Sequence, residues 1–161
     1  MLASQFAKGC QEAGHTVVEM DVAHMKIHPC LGCGYCRKNG TNCVQKDDVP
    51  EVMDQIISAD MVVFVTPIYY FGMTAQLKML IDRFYSYNEK LKSKRMKAVL
   101  IVAAMESKEE GLKALSDHYL KICKYLNFTD CGQILGTDCE SPEATKDSPH
   151  MEQAYQLGKS I

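Results

Sequence analysis

The sequence lacks the long apolar run that a membrane-spanning helix needs. Its longest uninterrupted apolar stretch, from Ala98 to Met105, has eight residues, whereas a helix needs about 20 to cross a bilayer. The chain also lacks an excess of basic residues, because 18 Lys and Arg stand against 20 Asp and Glu, and the net charge is −2. We therefore expect neither a membrane nor a nucleic acid as a partner.

A secretory signal is not recognisable either, because the first residues carry neither a basic segment nor a long apolar one. We therefore expect a cytoplasmic location, where thiols stay reduced. The chain nevertheless contains eight cysteines. Cys10 and Cys123 lie on the apolar faces of predicted helices and are interpreted as core residues. The others are expected to be free thiols, metal ligands or catalysts.

Apolar periodicity predicts alternating helices and strands. In chain order these are a helix over 2–13, a strand over 16–22, a helix over 49–57, a strand over 61–65, a helix over 77–84, a strand over 98–104, a helix over 112–126, a strand over 131–135 and a helix after Pro149. Asp48 and Glu51 are interpreted as a capping pair for the second helix. Residues 25–46 show neither period and are interpreted as a loop.

The strands over 61–65 and 98–104 are continuously apolar, which is typical of parallel strands covered on both faces. The predicted fold class is therefore α/β, a three-layer sandwich with a parallel sheet, and residues 1–161 are expected to form a single domain. The order begins with a helix, whereas doubly wound domains normally begin with a strand whose loop binds a phosphate. We therefore expect that the first strand is missing from this chain.

Four cysteines form the sharpest chemical signal: Cys30, Cys33, Cys36 and Cys43 have the spacing C-x2-C-x2-C-x6-C. Four thiolates this close together can bind one soft metal centre. The short spacings favour an iron–sulfur cluster over zinc, since zinc sites usually consist of two separated CxxC pairs. A disulfide or redox pair, and four unrelated structural thiols, remain as alternatives.

The segment from Thr66 to Gly72 is the second signal, because it directly follows a predicted buried strand. Ligands of open α/β sheets bind beyond the carboxyl ends of the strands. Pro67, Tyr69 and Tyr70 can flank a flat aromatic ring while backbone amides reach its polar edge. The alternative is that these aromatic side chains only cover the helix below them. The lysines between Lys90 and Lys97 are interpreted as a solvated turn.

These motifs resemble a known family. The segment from Thr66 to Gly72 with Asp82-Arg83, and the run from Cys30 to Cys43 with Asp47-Asp48, look like the flavodoxin-like NAD(P)H-dependent FMN reductases. Within that group the chain is most similar to the iron–sulfur flavoproteins, which carry a compact four-cysteine motif at this place. The resemblance implies a doubly wound sheet in the strand order 2-1-3-4-5, of which the first strand and its phosphate loop have no counterpart here.

The resemblance also implies the function. FMN would take a hydride from NAD(P)H and pass electrons to a small-molecule or protein acceptor, with a [4Fe–4S] cluster as an intermediate carrier. The residues expected to bind the flavin are Thr66, Pro67, Ile68, Tyr69, Tyr70 and Gly72, with a weaker contact from 103–106. Cys30, Cys33, Cys36 and Cys43 would bind the cluster. No catalytic acid or base is expected, and a homodimer or a tetramer is implied.

One further interpretation belongs to another class of protein. The chain could be a non-catalytic binding module in which zinc or the thiols stabilise an α/β domain that has lost its flavin. The intact segment from Thr66 to Gly72 argues against this interpretation, and the missing phosphate loop argues for it.

Overall fold

A computed structural model describes residues 1–40 and 43–161. The three strands are β1 (Met61–Pro67), β2 (Lys97–Ala103) and β3 (Thr129–Gly136). The helices are α1 (Leu2–Glu12), α2 (Tyr35–Asn39), α3 (Val49–Ser58), α4 (Ala75–Arg83), α5 (Asn88–Lys94), α6 (Lys113–Leu126), α7 (Pro142–Asp147) and α8 (His150–Ser160), with short 3-10 segments at Phe84–Tyr87 and Glu109–Leu112.

The strands form one parallel sheet in the order β1-β2-β3. Phe64 pairs with Leu100 across the first interface, and Ile101 pairs with Ile134 across the second. β2 is the central strand, and five of its seven residues, Ala98 to Val102, are buried. The continuous apolar pattern of this strand therefore correctly predicted burial on both faces.

Helices cover both faces of the sheet. On one face, Phe64 and Leu100 belong to a core that includes buried residues of α3, α4, α5 and α6. On the other face, Val99 and Ile101 pack with residues of α1 and α8. Those two helices cross closely, since a side chain at Gly158 would clash with the backbone of Phe6. The fold is the expected three-layer α/β sandwich.

The predicted strand over 16–22 is wrong. This segment forms no strand, and β1 is the edge of the sheet. The apolar side chains Met20 and Val22 still pack against the core, so the pattern correctly predicted burial. A strand, however, also needs a neighbour for its backbone hydrogen bonds. In the order 2-1-3-4-5, the neighbour of this segment would be the first strand, and none of the described strands pairs with this segment.

Three helices and one cap also differ from the predictions. The segment interpreted as a loop contains α2, the segment interpreted as a solvated turn contains α5, and α7 lies where no element was predicted. The α3 helix begins at Val49 as expected, but the side chain of Asp48 does not cap it. The Asp48 carboxylate instead accepts a hydrogen bond from the backbone of Lys26 at 2.7 Å. A tertiary contact has thus replaced the local one.

None of the helices within the described residues combines the length and the apolar character that crossing a membrane requires.

Candidate functional site

The segment from Thr66 to Gly72 lies at the carboxyl end of β1. It is fastened to the next strand, because the backbone N–H of Ile68 donates to the carbonyl of Ala103 at 3.0 Å. Tyr69 and Gly72 exchange two backbone hydrogen bonds, at 2.9 and 3.1 Å. Between them, Tyr70 and Phe71 have φ angles of 48° and 63°. The segment is thus a tight turn whose two central residues both occupy the left-handed region, as in the type I′ turns of hairpins.

The aromatic side chains of this turn point into solvent. Tyr70 is fully exposed, and Tyr69 and Phe71 are each 64% exposed. They therefore do not cover the helix that follows, which was the alternative interpretation of this segment. A left-handed backbone costs a side-chain-bearing residue about 1–2 kcal/mol, and here no burial of the ring offsets that cost.

Thr66 has a different environment from the other residues of the segment. It is 2% exposed, its hydroxyl donates to the carbonyl of Pro67 at 2.7 Å, and the same oxygen accepts from the backbone of Thr74 at 3.0 Å. Thr74 in turn caps α4 through the N–H of Leu77. Thr66 therefore holds the turn and the start of α4 together, and both roles of its hydroxyl are satisfied inside the protein.

The loop after β2 lies beside this turn at the same edge of the sheet. Ala104 donates to the carbonyl of Gly136 at 2.8 Å and accepts from the backbone of Cys139 at 2.7 Å, which ties the loop to the end of β3. Met105 is 78% exposed. The loops after two adjacent strands thus present exposed apolar side chains beyond the carboxyl ends of the sheet, where ligands of such folds bind.

The four cysteines of the C-x2-C-x2-C-x6-C motif line one cavity of about 800 Å³. Its wall also includes Arg37, Lys38, Asp82 and Tyr85. Cys30 and Cys33 are exposed, whereas Cys36 and Cys43 are half-buried. Within residues 1–40 and 43–161, no three ligating side chains converge closely enough to hold a single metal ion. The sulfurs thus share a cavity without meeting at one point.

The two ends of this cysteine loop, residues 30–43, are joined at its base. Asp48 bonds to the backbone of Lys26 through its carboxylate, at 2.7 Å, and through its own N–H, at 2.9 Å. The amide group of Gln45 donates to the carbonyl of Pro29 at 2.8 Å. The chain entering the loop is therefore fixed against the chain leaving it.

Asp47 and Arg83 form a buried ion pair below the same loop. Their side chains are 0% and 2% exposed, and the shortest contact is 2.5 Å. Burial raises the pKa of Asp47, but Arg83 and the backbone N–H groups of His28 and Val49 lower it, and the net pKa lies below its ordinary value. The sequence showed both residues beside the motifs, yet no pattern in it indicates that they meet.

The cysteines assigned to the core are confirmed there. Cys10 is 5% exposed and Cys123 is 2% exposed. Burial raises the pKa of both thiols, so these cysteines are poor nucleophiles and poor metal ligands. Their environment contrasts with that of the four cysteines in the loop.

Comparisons with known proteins identify the family of this chain. The family model for NADPH-dependent FMN reductase matches residues 1–138. An iron–sulfur flavoprotein of Archaeoglobus fulgidus is 29% identical over 156 residues, covering 96% of this chain and 68% of the relative. An iron–sulfur flavoprotein of Methanocaldococcus jannaschii is 44% identical over 73 residues, which is 45% of this chain and 37% of that protein.

Solved structures show the same fold. An NAD(P)H:quinone oxidoreductase from Methanothermobacter marburgensis superposes with a TM-score of 0.74 at 19% identity, over 99% of this chain and 86% of that one. The parallel sheet covered by helices on both faces is accordingly a flavodoxin-like fold. Because its family model matches most of the sequence, the chain belongs to the NADPH-dependent FMN reductase family of oxidoreductases.

Proposed function

We propose that this protein is an FMN-dependent oxidoreductase that takes a hydride from NAD(P)H and passes electrons to a small-molecule or protein acceptor through a [4Fe–4S] cluster. The single observation that carries the proposal is the coincidence, in one FMN reductase chain, of an exposed aromatic turn at the sheet edge with a cavity lined by four cysteines. Relatives described as iron–sulfur flavoproteins support it.

The turn after β1 fits a flavin. Tyr69 and Tyr70 offer exposed aromatic rings for the faces or edges of a flat ligand. The backbone N–H groups of Tyr70 and Phe71 donate to no group among the described residues, which suits the polar edge of such a ring. We therefore assign flavin binding to Thr66, Pro67, Ile68, Tyr69, Tyr70 and Gly72. Thr66 contributes by holding the turn rather than by touching the ring through its hydroxyl.

The chemistry of hydride transfer resides in the cofactor, and a bound FMN can accept two electrons and release them singly. The chain must orient the flavin ring and exclude water from it. The rigid turn and the neighbouring loop with Met105 would orient the ring. The hydroxyl of Thr66 is already committed internally, and hydride transfer to a flavin requires no acid or base from the turn.

The cysteine cavity fits a cluster better than a single zinc ion. A zinc ion requires four ligand atoms at about 2.0–2.3 Å from one point, and the described side chains do not converge in this way. The four cysteines of a cubane cluster each bind a different iron atom, so they need to line a shared volume rather than meet at one point. Cys30, Cys33, Cys36 and Cys43 all line one cavity. Arg37 and Lys38 in the cavity wall offset part of the negative charge of four thiolates.

We further propose a cytoplasmic homodimer. The exposed apolar side chains Tyr69, Tyr70, Phe71 and Met105 lie at one edge of the sheet, and a patch of this kind favours a ligand or a second copy over water. A closed two-fold arrangement would cover it. Light scattering after size-exclusion chromatography measures the oligomeric state directly, and a monomer at micromolar concentration would contradict the proposed dimer.

The test of the function is an anaerobic absorbance spectrum combined with iron, sulfide, zinc and flavin assays. We expect FMN that is bleached by NADH or NADPH, and about four iron and four sulfide per chain. Cys36→Ser should lose the iron and keep the flavin. Cys131→Ser is the matched control, since Cys131 lies in β3 and outside the cavity. Zinc without flavin or iron would overturn the proposal in favour of a non-catalytic binding module.

A further inference from the structure

Arg83 is a buried cation that neither candidate site uses directly. It is the last residue of α4 and is 2% exposed. Its guanidinium donates to Asp47 through two nitrogens, at 2.5 and 3.2 Å, and to the backbone carbonyl of His28 at 2.9 Å. A fully buried arginine is rare, and burying its charge is tolerated only with partners of this kind.

Asp47 has other partners besides Arg83. Its carboxylate also accepts from the backbone N–H of His28 at 3.0 Å and from that of Val49 at 3.3 Å. His28 is therefore held twice, through its N–H by Asp47 and through its carbonyl by Arg83. The pair thus joins three separate pieces of chain: the segment entering the cysteine loop, the segment leaving it, and the helix that follows the aromatic turn.

The pair lies close to the first and last cysteines. Cys30 follows His28 by two residues, and Cys43 precedes Asp47 by four. Burial by itself lowers the pKa of Arg83. Asp47 and, to a lesser degree, Cys43 and Cys30 raise it, so that the net pKa lies above the ordinary value of an arginine. In addition, Nε of Arg83 is buried and has no hydrogen-bond partner in the described part of the chain.

We propose that Asp47 and Arg83 are positioning residues that hold both ends of the cysteine loop, so that Cys30 and Cys43 face the same cavity as Cys33 and Cys36. This inference rests on the proposed cluster function, and it adds the element that preorganises the site. The short α2 helix at the far side of the loop cannot do so, because none of its residues is buried. None of the described loop residues, 30–40 and 43, is buried, so the anchor of this described part lies at the base of the loop.

The pair also links the two candidate sites mechanically. Thr66 holds the start of α4 through Thr74, and Arg83 at the end of the same helix holds the base of the cysteine loop. A nine-residue helix thus stands between the aromatic turn and the cysteines. Because a helix of this length is stiff on the scale of its few turns, the two sites keep a constant separation as long as both ends of α4 remain attached.

The decisive variant is the double substitution Asp47→Leu/Arg83→Met. Replacing a buried ion pair by apolar residues of similar volume is often neutral for stability, so this protein should still fold. It nevertheless loses both hydrogen bonds to His28. Lys113→Met/Asp117→Leu is the matched control, because that ion pair lies on the exposed surface of α6. Arg83→Lys keeps the charge but loses the two-pronged geometry. Its His28 exchange rate and its retained iron should therefore lie between those of the wild type and the double variant.

The first readout is hydrogen exchange in metal-free protein. The His28 amide should exchange about tenfold faster or more in the double variant, since it loses its acceptor. The Lys26 amide, which Asp48 holds independently, should change little. The second readout is the iron and sulfide retained after anaerobic reconstitution with Fe²⁺ and sulfide. Both should fall at least fivefold in the double variant and stay unchanged in the control.

Each outcome bears on a different claim. An unchanged His28 exchange rate in the folded double variant would overturn the inference. Faster exchange with undiminished iron retention would also overturn it, because the loop would then not need its anchor. If the reconstituted wild-type protein retained no iron, the proposed cluster function would fail, while the exchange rates would still decide whether the pair holds the loop ends.

Discussion

The aromatic turn after β1 and the cysteine loop are stabilised over different distances in sequence. In the turn, Thr66 bonds to Thr74 and Tyr69 bonds to Gly72. In the cysteine loop, residues 30–43, the ends are held by Gln45 bonding back to Pro29 and by Arg83 reaching His28, a separation of 55 residues. The partners of the turn therefore lie in its own segment and the adjacent strand, whereas the base of the loop also needs a partner from a helix far along the chain.

The kinds of interaction differ as well. Neutral hydrogen bonds hold the turn, and each contributes about 0.5–1.5 kcal/mol. The loop is held by a buried charged pair, in which losing one partner leaves the other buried and uncompensated. We therefore expect the turn to tolerate single substitutions and the loop base to tolerate only paired ones.

The largest expected effect comes from Arg83→Met alone. The substitution leaves the Asp47 carboxylate buried without its cation, and such losses reduce the free energy of unfolding by about 3–5 kcal/mol. Denaturant titration monitored by circular dichroism measures the change. Lys113→Met, which breaks an exposed pair, should change the free energy of unfolding by less than about 1 kcal/mol. Equal losses of unfolding free energy in the two variants would contradict the claim that the buried pair at the loop base is sensitive to single substitutions.

Acid should weaken the same pair. The folded-state pKa of Asp47 is below its ordinary value, so between the folded and unfolded pKa values the unfolded chain binds more protons. The contribution of Asp47 is therefore complete above about pH 4, the ordinary range of an aspartate, and is lost as the pH falls through the folded value. Between pH 6 and pH 2, the free energy of unfolding should depend less on pH in Asp47→Leu/Arg83→Met than in the wild type. Denaturant titrations at several pH values measure this, and an equal pH dependence in both proteins would contradict the assignment.

Thr66→Val tests the locally stabilised region. Valine has nearly the shape of threonine but leaves the Thr74 N–H without its acceptor, which costs about 1–3 kcal/mol when the donor is buried. We expect this loss of stability together with weaker FMN binding, and an unchanged hydrogen-exchange rate at His28. Flavin fluorescence titration and exchange mass spectrometry measure both. A faster rate at His28 would show that the two regions are coupled more tightly than their contacts indicate.

Tyr70→Asn should have the smallest effect on the fold. Tyr70 is fully exposed and has a left-handed backbone, which asparagine adopts more readily. The free energy of unfolding should change by no more than about 0.5 kcal/mol. FMN affinity should fall by about two- to tenfold, since an aromatic contact contributes about 0.5–1.5 kcal/mol. Unchanged FMN affinity would exclude this ring from the flavin site.

The reliable sequence predictions were those that rest on repeated apolar spacing. The α3 helix and the strands β1 and β2 lie where they were predicted. The helix presents a periodic apolar face to one core, and the two strands present apolar residues to the cores on both faces of the sheet. The strand over 16–22 failed although Met20 and Val22 are partly buried, since alternation predicts burial but cannot supply the neighbouring strand. The predicted capping pair is wrong because the Asp48 carboxylate accepts a hydrogen bond from the backbone of Lys26, 22 residues away.

The sequence by itself determined the layered α/β architecture, the position of the aromatic turn and the grouping of four cysteines, because these depend on spacings within a few residues of chain. Tertiary structure alone decided which charges are buried. Asp47 and Arg83 are 36 residues apart, and an isolated Asp or Arg is normally interpreted as a surface residue. Their partnership arises only where the end of α4 packs beneath the cysteine loop, because two charges become a stable buried pair only when folding places both out of water together.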